Sequence, residues 1–162
     1  MSASFIEAMT AAAAQRPNAL LTVASDVRPC TTRLAEVVAA GQRMGTRMIA
    51  AGISPGDIIG CMLANWREWL VVAVATAHAG AAMLPLVTIY GAKELGFILR
   101  QSGAKWLFTP DSFRNIDYSA VVAGCGELSG LERHIVTGPA FEVLESEGAI
   151  SQPVAVNPED LA

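Results

Sequence analysis

Apolar positions along the chain follow two alternating rhythms. Leu34, Val37, Val38, Gly41, Met44, Met48 and Ile49 recur at three- and four-residue steps, the period of a helix that buries one face. Gly52 is placed to end that helix in the left-handed conformation. Pro55-Gly56-Asp57 then predicts a tight turn into Ile58–Leu63, a short continuous apolar run of the kind that suits a strand covered on both faces. The rhythm repeats. A second helix is expected from Asn65 through Ala77, with Gly80 as its stop, followed by a strand over Ala81–Leu86. A third helix follows Tyr90, with Leu95, Ile98, Leu99 and Ser102 on one side and Gly103 at its end, and Trp106-Leu107-Phe108 is the next strand.

The flanks carry weaker patterns. Phe5, Ile6 and Met9 predict one face of an opening helix that Arg16-Pro17-Asn18 ends. Ala19–Ala24 and Val27–Thr31 read as a hairpin about Ser25-Asp26. Arg133–Thr137 is expected to be a strand and Phe141–Glu147 a short helical piece, while Ile116–Ala123 fits either class. The last twelve residues, with Pro153 and Pro158, read as an extended connector. Two helix starts have candidate caps: Thr31 or Thr32 for the Leu34 helix, and Asn65 for the next, with Glu68 able to reach back as in a capping box. Helices alternating with short apolar strands over short links predict an α/β fold with a mainly parallel sheet joined by right-handed crossovers.

Composition sharpens this picture in two places. With 162 residues the chain has the length of one domain, and only 16% of it is charged while 52% is hydrophobic. So little polar surface implies that part of the molecule packs against something further or touches a membrane. From Trp69 to Tyr90 no residue is charged, a run long enough to span a bilayer. However, it is largely alanine, holds His78, and is divided by Gly80 and Pro85 into a helix and a strand, so no transmembrane span is expected, and peripheral membrane contact stays compatible. The net charge of −4 without a basic run speaks against nucleic acid. Cys30, Cys61 and Cys125 are odd in number and far apart, which suits reduced thiols in a cytoplasmic protein. No basic region precedes the apolar residues of the N-terminus, as a signal peptide would require.

Candidate chemistry is sparse. There is no GxxxxGK[ST] phosphate loop, no GxSxG elbow and no HExxH helix. Gly124, Gly126 and Gly130 approximate a dinucleotide loop, with Glu142 and Glu145 as acids downstream, but the spacing departs from GxGxxG. His78 and His134 have no acid or nucleophile spaced to work with them and read as structural. Trp66 and Trp69, three apart, read as packing on one helix face, and Asp57 as a turn acid. No catalytic, cofactor-binding or metal-ligating residue is assigned.

Taken together, the ordered segments resemble a known family. Arg16-Pro17-Asn18-Ala19-Leu20, then Thr31, Ala35 and Ala39, then Gly52-Ile53-Ser54-Pro55-Gly56-Asp57 resemble the early part of adenylate-forming enzymes. The likeness continues through Leu63-Ala64-Asn65-Trp66-Arg67-Glu68, Ala77-His78-Ala79-Gly80-Ala81 and Leu84-Pro85-Leu86. Glu94–Leu99, Ser102-Gly103-Ala104-Lys105 and Asn157–Ala162 complete it in the family's order. The resemblance implies the N-terminal portion of the large domain of an acyl-CoA synthetase, spanning residues 1–162. Such an enzyme uses Mg-ATP to convert a carboxylic acid to an acyl-adenylate, then passes the acyl group to CoA. The partners implied are that acid, CoA and the rest of the same polypeptide. The family's Ser/Thr/Gly-rich phosphate loop would follow Ala162, so none of its catalytic residues maps onto this chain, and neither activity nor a bound cofactor is expected of it alone. At Thr32 and Leu34 the family often has an aromatic residue and then an acid, a departure at packing or capping positions. The alternatives are a non-catalytic acyl-binding or regulatory module of the same fold, a small membrane protein using Trp69–Tyr90, and a Rossmann-type oxidoreductase.

Overall fold

The computed structural model describes residues 4–156, as six helices and eight short strands. In chain order these are α1 (Phe5–Gln15), β1 (Leu20–Val23), β2 (Cys30–Arg33), α2 (Leu34–Ala50), β3 (Ile58–Cys61), α3 (Arg67–His78) and β4 (Ala82–Pro85). They continue as α4 (Ala92–Ser102), β5 (Trp106–Thr109), β6 (Ser112–Phe113), β7 (Ile116–Asp117), α5 (Tyr118–Ala123), β8 (Arg133–Val136) and α6 (Pro139–Glu145). The α/β class is as expected. Asn157–Ala162 lie outside the described residues.

The central sheet has the order β4-β3-β5-β8, with every pairing parallel. Side chains alternate across it, so β5 sends Trp106 and Phe108 to one face and Leu107 to the other. The first face packs with Val37, Met44 and Met48 of α2, Val71 and Val72 of α3, and Phe141 of α6. On the second, Leu107 and Met62 pack with Leu95 and Leu99 of α4 and with Tyr118 of α5. Both faces are therefore covered, which is why these strands read as continuous apolar runs. Pro85 is tolerated because β4 is an edge strand and so need not donate to the ladder there.

α2 and α3 approach so closely that a Cβ on Gly41 would lie 2.5 Å from Val74 Cβ, and one on Gly45 would lie 2.7 Å from the Ala75 carbonyl oxygen. Gly103 ends α4 at φ 66°, the left-handed stop expected of it. The final described stretch crosses back over α2 and α3 without regular structure. There the Ser151 N–H donates to Thr46 Oγ1 (3.0 Å) and the Val154 N–H to the His78 carbonyl (2.9 Å).

Several local expectations are corrected. Neither Thr31 nor Thr32 caps α2: both are β2 residues, and Arg33 holds the cap position. Glu36 Oε2 instead accepts from the Arg33 N–H (3.2 Å) and from Thr32 Oγ1 (2.7 Å), so the acid in the first turn caps the helix backwards. Asn65 does not cap α3 and forms no capping box, because the helix starts two residues later behind Trp66 and Glu68 is turned to Arg28. The hairpin's return strand is Cys30–Arg33, later than the expected Val27–Thr31, because residues 24–29 are used as a loop. Ile116–Ala123 divides between the two classes, as β7 and then α5. Phe5, expected to share a buried face with Ile6, is exposed.

Candidate functional site

In an open parallel sheet, strand carboxyl ends next to a change in winding direction leave a crevice, and ligands of α/β proteins bind there. Here the chain leaves β3 for β4 on one side and returns to β5 on β3's other side. A cleft of about 790 Å³ lies at these strand ends, within the size range of roughly 300–1,000 Å³ that holds small ligands. Leu63, Ala64 and Asn65 enter it from the end of β3, and Pro85–Thr88 from the end of β4. Phe113 and Arg114 reach it from the β6–β7 turn, and the β1–β2 loop supplies Ala24–Val27.

Each wall has a local cause. The β6–β7 connection turns on Arg114 and Asn115, both at positive φ (52° and 63°), as the two-residue turns that match strand twist require. Beyond β4 the loop is tied down by Tyr118, whose hydroxyl donates to the Thr88 carbonyl at 2.9 Å. Burial pushes the Tyr118 phenol above its usual pKa, so it stays a neutral donor. On the β1–β2 side, Ser25 Oγ accepts from the Val27 N–H (3.3 Å) and the Arg28 N–H (3.1 Å), a local turn that holds the loop's shape.

Trp66 joins these walls. It is 2% exposed and meets the Phe113 ring edge-on, with centroids 5.3 Å apart and planes at 86°. The Arg28 guanidinium lies 4.6 Å from the centroid of the Trp66 ring. Arg28 Nη1 donates to Glu68 Oε1 (2.9 Å) in the first turn of α3, and Nη2 to Asp111 Oδ1 (3.2 Å) after β5. Apolar side chains of Leu63, Trp66, Leu86 and Phe113 share the lining with polar and charged groups of Ser25, Asp26, Asn65, Thr88 and Arg114, so the cleft offers both kinds of surface to a ligand.

Of the residues weighed from sequence, the structure brings Trp66 and Trp69 to the cleft, though Trp66 precedes α3 instead of lying on it. The histidines are elsewhere. His78 is fully buried at the end of α3, with Nε2 3.2 Å from Ser151 Oγ and Nδ1 without a partner. His134 Nε2 is 2.8 Å from Thr109 Oγ1. Burial lowers the pKa of both imidazoles. Asp57 is the turn acid expected, accepting from the Ser54 N–H (2.8 Å), and it also takes Lys105 Nζ at 2.9 Å, which raises the lysine's pKa. Gly124 and Gly126 follow helix α5 instead of opening one, so the glycine run has none of the strand–turn–helix context of a phosphate cradle. Glu145 pairs with Arg67 at 2.7 Å. No cluster of potential metal ligands occurs among the described residues. Sequence reasoning missed Arg28, Ser25, Thr88 and Phe113. Thr88 follows a strand end and so carried a signal, whereas nothing local marks Arg28.

Known proteins share this architecture. The N-terminal domain of FACL13 from Mycobacterium tuberculosis superposes with a TM-score of 0.81 at 19% identity, covering 95% of this chain and 38% of that one. A long-chain fatty-acid–CoA ligase (FadD1) from Archaeoglobus fulgidus gives a TM-score of 0.82 at 21% identity, covering 97% and 32%. These likenesses establish the fold. Among curated proteins, a propanoyl:CoA ligase of Mycobacterium tuberculosis, whose acyl group carries a methyl-dioxo-octahydroindenyl ring, is 35% identical over 106 residues, 65% of this chain. The mitochondrial medium-chain acyl-CoA ligase of Rattus norvegicus is 30% identical over 125 residues, 75% of this chain. The chain spans 20% of the length of each of these two curated relatives. The sequence pattern of the family described as AMP-binding enzyme matches residues 9–162, taking in both layers of helices, the sheet and the cleft. By that match the chain belongs to the AMP-binding enzyme family, of which it represents an N-terminal portion.

Proposed function

We propose that the chain forms the N-terminal part of an acyl-CoA synthetase that adenylates a carboxylic acid with Mg-ATP and transfers the acyl group to CoA. The observation that carries this is the 35% identity over 106 residues with a relative named as a CoA ligase, within a family match over residues 9–162. Replacing a carboxylate oxygen by AMP gives the acyl carbon a competent leaving group, which is the reason such enzymes use ATP. The described residues supply scaffold and cleft and no phosphate cradle, so no chemical step is assigned to them. On this reading the nucleotide-binding and catalytic groups belong to further residues of a longer polypeptide. Cytoplasmic residence is the accompanying reading. It is supported by free Cys30, Cys61 and Cys125, and no described helix is long and apolar enough to cross a membrane.

The test is carboxylate-dependent exchange of pyrophosphate into ATP, followed by thioester formation with CoA. It is run on the 162-residue chain and on the polypeptide obtained by reading its gene in frame past Ala162. We expect exchange from the longer polypeptide and none from the 162 residues. A stop codon directly after Ala162, or a longer polypeptide inactive across short, medium, long and aromatic acids, would overturn the ligase reading in favour of a non-catalytic module.

A further inference from the structure

The β1–β2 loop forms one wall of the cleft, yet this two-stranded hairpin does not belong to the central sheet. Among the described residues, the ion pairs that join the loop to the opposite rim are made by Arg28. Arg28 bridges two carboxylates on different elements, Glu68 of α3 and Asp111 beyond β5, while its guanidinium covers the Trp66 ring. Glu68 and Asp111 lie 40 and 83 residues from Arg28 in the chain, so the contact ties three separate parts of the molecule together at the cleft mouth. The two limbs differ. The Glu68 side chain is 19% exposed, whereas that of Asp111 is 58% exposed and open to screening by salt. A planar guanidinium with a fork of donors can engage both acids and the ring face at once, which a lysine ammonium cannot do in the same geometry.

From this we infer that Arg28 is a clasp that holds the 24–27 loop against the cleft, and that its two ion pairs set how far the cleft opens. With the clasp closed, Trp66 is shielded and the loop wall is in place. With the ion pairs broken, the loop is held only by its own Ser25 turn and by the β1–β2 ladder, and swings away from Trp66. The inference concerns access to the cleft and does not rest on the ligase reading.

The test measures exposure of Trp66 to the neutral quencher acrylamide. The Trp66 contribution is taken as the difference between each protein and the same protein carrying Trp66→Phe. The principal variant is the double substitution Glu68→Gln with Asp111→Asn, which keeps the Arg28 side chain and removes only the charges it pairs with. We expect the Trp66 quenching constant to rise at least twofold in that variant and in Arg28→Met. In Arg28→Lys it should rise by less, and in the wild type it should increase between about 0.05 M and 1 M salt as screening shortens from roughly 14 Å to 3 Å. Far-UV circular dichroism and the urea midpoint establish that each variant is folded. A folded double variant whose Trp66 is quenched no more than in the wild type would overturn the clasp. If that variant does not fold, the wild-type salt dependence decides, and its absence would equally overturn the proposal.

Discussion

At the scale of single residues, burial and close approach decide behaviour more than residue type does. Gly41 sits on the apolar face of α2, where alanine would be the better helix former by about 1 kcal/mol. Its missing Cβ nevertheless lets Val74 and the Val71 carbonyl come within 2.5 and 2.9 Å of where that atom would be. Overpacking of this kind costs about 1–3 kcal/mol, more when backbone must move. Gly41→Ala should therefore lower the urea midpoint despite its propensity gain. The cysteines divide in a similar way. Burial pushes the Cys61 thiol up to about 12, against the opposing Leu63 backbone contact, and burial also raises Cys125. Only Cys30 among the three is half-exposed. A disulfide reagent at pH 8 should label one thiol rapidly in the native chain and all three in denaturant, because only the thiolate reacts.

The histidines give stability a pH dependence whose sign can be worked out. Burial places the folded-state pKa of His78 and His134 below the ordinary 6.5. As pH falls past that value the unfolded chain takes up protons first, so their contribution is intact above 6.5 and is lost on descending below it. Glu7 and Glu36, whose carboxyls are held below 4.5 by hydrogen bonds from Ser4 and Thr32 respectively, act in a lower window and lose their contribution as pH falls through it. Urea midpoints measured between pH 7.5 and 5 should fall for the wild type and fall less steeply for His78→Gln. Equal slopes would show that His78 is not the group responsible.

At the scale of elements, helix starts separate what a local motif promises from what the chain uses. Ser4 accepts from the Glu7 N–H (3.3 Å) and Glu7 reaches back to the Ser4 N–H (2.8 Å), a complete capping box for α1. Asn65 and Glu68 have the same spacing before α3 and make none, since Glu68 is engaged by Arg28. Ser4→Ala should thus destabilise the protein by about 1 kcal/mol and fray α1, whereas Asn65→Ala should stay within about 0.5 kcal/mol. Hydrogen exchange over α1 and α3 distinguishes the two. The acid at the third position matters again in α2, where Glu36 accepts from the N–H of Arg33 at the cap position.

At the scale of the whole molecule, the sheet is covered on both faces, yet several large apolar side chains remain outside. Leu20, Val27, Ile89, Phe97 and Val143 are each more than half exposed. Together with the low charge content, this predicts that the 162-residue chain self-associates. Light scattering should report a mass that rises with concentration, and an apolar dye should bind. A monomer that binds no dye would contradict the expectation that these faces are made to be covered. The cleft, too, belongs to this scale, since its walls come from four separate segments, two at the ends of central strands and two from separate hairpins, that only the tertiary fold brings together.

The sequence by itself determined the alternation of helix and strand, the stops at Gly52, Gly80 and Gly103, and the family. The first two depend on short-range facts, namely the period of apolar residues and the positive φ that glycine alone adopts readily, and the family on short motifs that stand in the same order along the chain. What only the tertiary structure decided was the strand order, the true caps of α2 and α3, the two-residue β6–β7 turn, and the clasp of Arg28 over Trp66. The physical reason is distance along the chain. Which carboxylate an arginine meets 40 or 83 residues away has no local signature, because that choice is made by packing once the sheet has formed.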